Sequence, residues 1–265
     1  MTLPLFVPRV AAPLIVFVAL CQSGAAGEVE QRMPRYRGVT GIVRSEAQPE
    51  GLHYLAFPTA LEVMPGELWI AYKAGASHAS DAGAAIEIVR HRLETGETEL
   101  IQRLRPDPPQ LYQMAELARL PDETIALYID VHGIGHDSRH YRTGAGQYRW
   151  DSGRGEFVGP TVFPRVDGVT YGYPFDFIVR EETTWLLIMS FGYLPEGRWS
   201  VDVIRSDDSG GQWRFVRNLS EEFGGLRINE SAFVPHGDGF VVTTRGYDNR
   251  ERLHRVDREF RVEQQ

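Results

Sequence analysis

One turn occurs three times along the chain, in the same register and 57 residues apart. Ser206-Asp207-Asp208-Ser209-Gly210-Gly211-Gln212-Trp213 fits the pattern S-x-D-x-G-x-x-W, and looser versions begin at Arg149 (Arg149-Trp150-Asp151-Ser152-Gly153) and at Arg92 (Arg92-Leu93-Glu94-Thr95-Gly96). A repeat of this length implies stacked or radial supersecondary units, none of which buries its apolar face alone. The acidic residue and the glycine recur, whereas the final Trp occurs once. The shared chemistry is therefore that of a turn: Asp or Glu folds back onto backbone N–H groups and Gly adopts a left-handed conformation.

Strand-like segments surround each turn. Leu68–Gly75, Ile125–Asp130, Trp185–Gly192 and Phe240–Gly246 are apolar, rich in branched and aromatic residues, and bounded by turn formers. Ile86–Val89 and Val201–Ile204 lead into the acidic turns, and Pro65-Gly66, Pro121-Asp122 and Asp238-Gly239 mark earlier turns. Four antiparallel strands per repeat define a blade, so the expected fold is an all-β propeller with blades at 53–105, 110–165, 171–220 and 226–265. Residues 28–52 form an extension able to add a strand to the closing blade. An open β-sandwich has similar short strands, but the 57-residue register favours the propeller.

Residues 1–27 read as an export signal: Arg9, an apolar core from Val10 to Leu20 too short to span a bilayer, then the small residues Ser23 to Gly27. Leu20, which precedes Cys21, is not small, which argues against a lipoprotein and for cleavage between Ala25 and Glu28. Cleavage removes the chain's single cysteine, so the exported protein must hold its fold through its core, for which about 240 residues suffice. The net charge of −8 with no basic run argues against a nucleic-acid partner.

Strand polarity separates structure from function. In an up-and-down blade the acidic turn lies at one end. The opposite end is built from the strand ends Lys73, Asp130, Phe191 and Arg245 and the strand starts Pro58, Glu116, Asp176 and Glu230. A functional site is expected on this second face, and the acidic turns are expected to be structural. His132, His136 and His140 recur every four residues, but Gly133 and Gly135 oppose the helix that would align them on a metal. No metal or cofactor is expected.

With its acidic turns read as Asp-boxes, the chain resembles the sialidase (neuraminidase) superfamily over most of residues 53–265. Ala56-Phe57-Pro58 stands where that family has a Tyr/Phe-Arg-Ile-Pro segment, Asp81 lies in the following loop Ser77-His78-Ala79-Ser80-Asp81-Ala82-Gly83, and Glu230 in Asn229-Glu230-Ser231-Ala232-Phe233 precedes a strand carrying Arg245. The resemblance implies an exo-acting glycosidase for a sialic acid or related acidic glycan. In such an enzyme a Tyr attacks the anomeric carbon, a Glu takes its proton, an Asp is the acid/base and arginines clamp the carboxylate. Asp81 and Glu230 then become the catalytic candidates, with Arg245, Lys73, His78, Tyr173 and Asp176 as substrate-binding candidates; for Tyr173 and Asp176, turn capping is the competing role.

The chain departs from the family in several ways. Ala56 replaces the first arginine, with Lys73 one strand away as a replacement cation. Four blades are present where the family has six. The family's third arginine and its tyrosine fall beyond Gln265, which implies weak turnover by these 265 residues alone; Tyr171, Tyr173, Tyr193 and Tyr247 are possible stand-ins. The alternatives are a glycan-binding propeller without turnover and a protein-interaction module. The oligomeric state is left open.

Overall fold

The computed structural model describes residues 41–43, 45–78, 82–135, 140–190 and 200–264. Four antiparallel sheets follow one another along the chain. The first blade contains β1 (Tyr54–Met64), β2 (Glu67–Gly75), β3 (Ala85–Arg92) and β4 (Thr98–Leu104). The second contains β5 (Gln110–Arg119), β6 (Ile125–Ile134), β7 (His140–Asp151) and β8 (Glu156–Val162). The third contains β9 (Tyr171–Arg180), β10 (Thr183–Ser190), β11 (Ser200–Ser206) and β12 (Arg214–Asn218), followed by the short helix α1 (Leu219–Glu222). The fourth contains β13 (Ile228–His236), β14 (Gly239–Gly246), β15 (Glu251–Val256) and β16 (Val262–Gln264). Each is an up-and-down meander, and together they form a four-bladed β-propeller with the blades where the repeat places them.

The first strand of each blade is innermost, with β1 packed on β5, β5 on β9 and β9 on β13. Three apolar layers fill the seams. Trp69, Ile86 and Ile88 meet Leu117, Leu127 and Phe157; Tyr128 and Ala126 meet Leu186, Ile204 and Trp213; Trp185 and Val203 meet Phe233, Phe240 and Phe260. Because β2, β6 and β10 are covered on both faces, they read as continuous apolar runs without alternation.

Side chains also stitch each blade to the next at the repeat offset. The Thr59 hydroxyl donates to Glu116 Oε1 at 2.6 Å and accepts from Leu117 N; Phe233 N donates to Asp176 Oδ2 at 2.8 Å; the guanidinium groups of Arg119 and Arg180 donate to carbonyls of the neighbouring blades. A buried backbone N–H must find a partner, and here a side chain one repeat away supplies it.

Residues 41–52 contribute no strand among the described residues. Instead Ile42, Val43 and Leu52 cover the outer face of the first blade, against Leu68, Ile70, Tyr72 and Ala74. That face consists of alternate apolar side chains and needs a cover. The export-signal segment lies outside the described residues.

The three acidic turns join β3 to β4, β7 to β8 and β11 to β12, at the end of the propeller opposite Glu230 and Arg245. In the third, Gly210 N donates to Ser206 Oγ and Gln212 N to Asp208 Oδ1, both at 2.8 Å, and Gly210 has φ +79°. Asp151 accepts in the same way from Gly153 N and Arg154 N. In the first blade Thr95, rather than Glu94, takes the N–H of Glu97. A fourth acidic turn, in which Asp257 accepts from Glu259 N and Arg261 N, joins β15 to β16 without the glycine that would have marked it in the sequence. Trp213 lies against Tyr128, Phe163 and Phe177 in the second seam.

Burial raises the pKa of three acids. Asp202, bonded to Tyr171 and Asn218, is pushed up to about 7 and Asp176 to about 6, while Glu116, beside Asp176, is raised well above the usual range. All three hold protons to higher pH in the folded chain than in the unfolded one. For Asp176 and Asp202 the contribution to stability is therefore complete below about pH 4 and is lost as pH rises through about 6 to 7. Denaturant unfolding of the protein between about pH 5 and 8 should show stability falling with pH, and Asp202→Asn, which cannot titrate, should flatten that slope. A slope unchanged by the substitution would contradict the assignment to Asp202.

Candidate functional site

Each innermost strand is bulged at the equivalent position. The ladder slips at Phe57-Pro58 in β1, at Gln113-Met114 in β5, at Tyr173 and Phe175 in β9, and at Asn229-Glu230 in β13. The extra residues stand opposite Tyr72, Asp130, the end of β10 and Arg245 respectively. A bulge re-aims a side chain that the pleat would otherwise commit to one face of the sheet. Phe57 and Tyr173, each followed by proline, have φ of +52° and +53°, a conformation bulky residues rarely adopt outside functional or strained sites.

Around these bulges the second and third strands bring charge. Asp130 and His132 lie on β6, with His132 Nε2 2.6 Å from Asp130 Oδ2, and both are buried. The other carboxylate oxygen of Asp130 accepts from Tyr173 N at 3.2 Å. Arg142 on β7 lays its guanidinium over the Tyr173 ring, 4.1 Å from the centroid, and donates to Met189 Sδ. Burial and then the Asp130 carboxylate push the Tyr173 phenol up to about 12, while Arg142 and a hydrogen bond with Gln113 act in the opposite direction, and Glu230 raises it further. The phenol is thus neutral at rest, inside a ring of cation, carboxylates and amide.

The candidates from the sequence divide. Tyr173 is at the centre of the cluster. His78 lies nearby, with Nδ1 3.2 Å from the Tyr54 hydroxyl and its ring 5.0 Å from Phe57. Glu230 and Arg245 come together at 2.6 Å, both about half exposed, at the bulged end of the fourth blade. Lys73, the candidate replacement cation, is fully buried. Its ammonium donates to the carbonyls of Ser77 and His78 and to Gln113 Oε1, which fastens the loop after β2 to the second blade. Asp176 lies further along β9, bonded by Phe177 N and Phe233 N, so it performs the capping role, now between blades. Tyr171 donates to buried Asp202, and Tyr247 stacks beneath Arg227. Asp81, Phe191, Tyr193 and His136 lie outside the described residues. Among the described residues no group of three metal-ligating side chains occurs.

The sequence reading missed Arg142, Gln113 and the Asp130–His132 pair as members of one cluster. Arg142 lies in a segment of mixed polarity with no motif. The aromatic-proline pairs Phe57-Pro58 and Tyr173-Pro174 were the available signal, since proline within a strand marks a bulge or an edge.

No protein-family model and no curated protein matches the sequence. Solved structures match in fold. A protein of unknown function from Dyadobacter fermentans is 16% identical with a TM-score of 0.60, the match covering 80% of this chain and 68% of that one. The Hadza microbial sialidase Hz136 is 12% identical with a TM-score of 0.60, over 80% of this chain and 46% of the sialidase. Zg3597, a family 117 glycoside hydrolase from Zobellia galactanivorans, is 13% identical with a TM-score of 0.58, over 79% and 68%. The chain therefore shares the β-propeller of glycoside hydrolases, including sialidases, and spans about half the length of the sialidase.

Lys73→Ala would take the donor from the buried Gln113 Oε1 and from the carbonyls of Ser77 and His78, and should destabilise the protein by about 3 kcal/mol in denaturant unfolding. Arg142→Ala, at the half-buried rim, should cost less than half as much. Equal losses would contradict the division between a structural lysine and a rim arginine.

Proposed function

We propose that the bulged face binds the terminal residue of an acidic glycan and hydrolyses its glycosidic bond by sialidase-type chemistry. The observation that carries this reading is Tyr173: a phenol held in a strained bulge, under the Arg142 guanidinium and within electrostatic range of Asp130 and Glu230. A substrate with a carboxylate on its anomeric carbon repels a carboxylate nucleophile, so a neutral phenol is the fitting attacker. In this proposal Tyr173 attacks, Glu230 draws off its proton, and Asp81 serves as acid/base. Arg142 and Arg245 hold the substrate carboxylate. The fold shared with propeller glycosidases supports the reading. With residues 1–27 as an export signal, the activity acts on glycans outside the cytoplasm.

A second reading, glycan binding without turnover, is favoured by one observation: Glu230 is engaged by Arg245 at 2.6 Å. Release of a fluorescent aglycone from an activated sialoside tests the first reading, and calorimetric binding of the same sugar tests the second. Tyr173→Phe and Glu230→Gln should each lower turnover by about 10²- to 10⁴-fold with the fold intact. Turnover unaffected by either substitution would refute the assigned roles, and binding without any turnover would leave the second reading.

A further inference from the structure

At the bulged end of the second blade, where β7 begins and β8 ends, the two strands and the link to β9 enclose a cleft of about 350 Å³. Small-molecule sites occupy roughly 300–1,000 Å³, so the cleft has room for one small ligand. None of its residues belongs to the cluster around Tyr173, and because β7 and β8 are the outer strands of their blade it lies further from the axis. Its floor is bare backbone. Gly146 pairs with Ile129 on one side and Val162 on the other, inside the sheet. A Cβ at Gly146 would lie 3.2 Å from Pro160 Cβ and 3.5 Å from Val131 Cγ2, and one at Gly144 would lie 3.5 Å from Thr170 Cγ2. A side chain at either position would therefore take up the cleft. Glycine inside a strand weakens it and marks a place where another group approaches closely.

The lining has three kinds of group. The Thr143 hydroxyl donates to the Val131 carbonyl at 2.8 Å and the Thr161 hydroxyl to the Gln147 carbonyl at 3.3 Å. With their protons committed to the backbone, both oxygens offer lone pairs, which match a ligand rich in hydroxyl donors. Val131, Pro160 and Val162, the last 90% exposed at the lip, supply an apolar patch for the C–H face of a sugar ring. The third group is a cation. Arg90, Arg103, Arg119 and Arg149 in the first two blades each meet an acid, whereas exposed Arg165 makes no hydrogen bond or ion pair among the described residues. Its planar fork of donors matches a carboxylate in bidentate fashion.

We propose that this cleft is a second carbohydrate site, which holds an acidic sugar residue of a glycan by its carboxylate on Arg165, its hydroxyls on Thr143 and Thr161, and its apolar face on Pro160 and Val162. The choice of a sugar rests on the function proposed above; the cleft, its bare floor and its unpaired cation do not. Thr143 follows Arg142 directly, and Thr170 precedes the strand that carries Tyr173, so both sites open on one face of the propeller. A glycan with acidic residues at more than one position then has two places to be held, one around Tyr173 and one around Arg165.

Amide chemical shifts of the isotope-labelled protein, titrated with the methyl α-glycoside of N-acetylneuraminic acid, test the proposal. The expected result is a saturable shift of the Gly144, Gly146 and Val162 amides with a Kd of about 1 mM, weakened about tenfold or more by Arg165→Glu and only partly by Arg165→Lys. Arg165 is exposed, so both variants should keep the rest of the spectrum, and methyl β-galactoside, which lacks the carboxylate, should leave the cleft amides in place. Shifts at the cleft with none around Tyr173 would uphold this site and count against the catalytic one. Shifts confined to the surroundings of Tyr173 would overturn the proposal. So would cleft shifts that survive Arg165→Glu, or that the neutral glycoside reproduces.

Discussion

Every sheet in a radial arrangement has two faces, and the whole structure depends on each finding an apolar neighbour. The interior strands β2, β6 and β10 meet that constraint by being apolar on both sides, which makes the seams between blades the true cores of the molecule. Burial in the seams leaves backbone groups of the innermost strands away from water. The Thr59, Asp176 and Arg119 side chains satisfy those groups from one blade to the next, at an offset set by the repeat itself. The periodicity first read as a turn is therefore also a periodicity of inter-blade hydrogen bonds.

That regularity gives meaning to its interruptions. A ladder that ran without bulges would point its side chains alternately into two seams and none toward the axis. Slippage at Phe57, Gln113, Tyr173 and Glu230 frees one side chain per blade at the same height, on the face opposite the acidic turns. The left-handed φ of Phe57 and Tyr173 has an energetic cost that the surrounding packing sustains. Lys73 contributes from below, fixing the loop after β2 without reaching the surface.

The blades, their boundaries and the two-ended polarity were legible in the sequence because turn chemistry and strand length are local properties. The fourth acidic turn was not, since Phe260 adopts the left-handed conformation that glycine would have advertised. The site was legible only in part. Tyr173 and Glu230 could be placed by strand position, but Arg142 reaches the cluster through a cation–π contact between β7 and β9 that no spacing records. The depth of Lys73 was not legible, because distance along the strand says nothing of depth; its ammonium is held by the Ser77 and His78 carbonyls and by the Gln113 amide of the next blade. The cover over the first blade was missed for the same reason: Leu52 and Ile42 have no periodic pattern, only a partner surface.

The central claim is that the bulged ends of the innermost strands form the ligand face and that the acidic turns do not. Amide hydrogen exchange with and without a sialylated oligosaccharide tests it most directly. Slowed exchange is expected in the segments around Phe57, Gln113, Tyr173 and Glu230, with no change in residues 206–213. Protection centred on the turn at 206–213, with none at the four bulges, would contradict it.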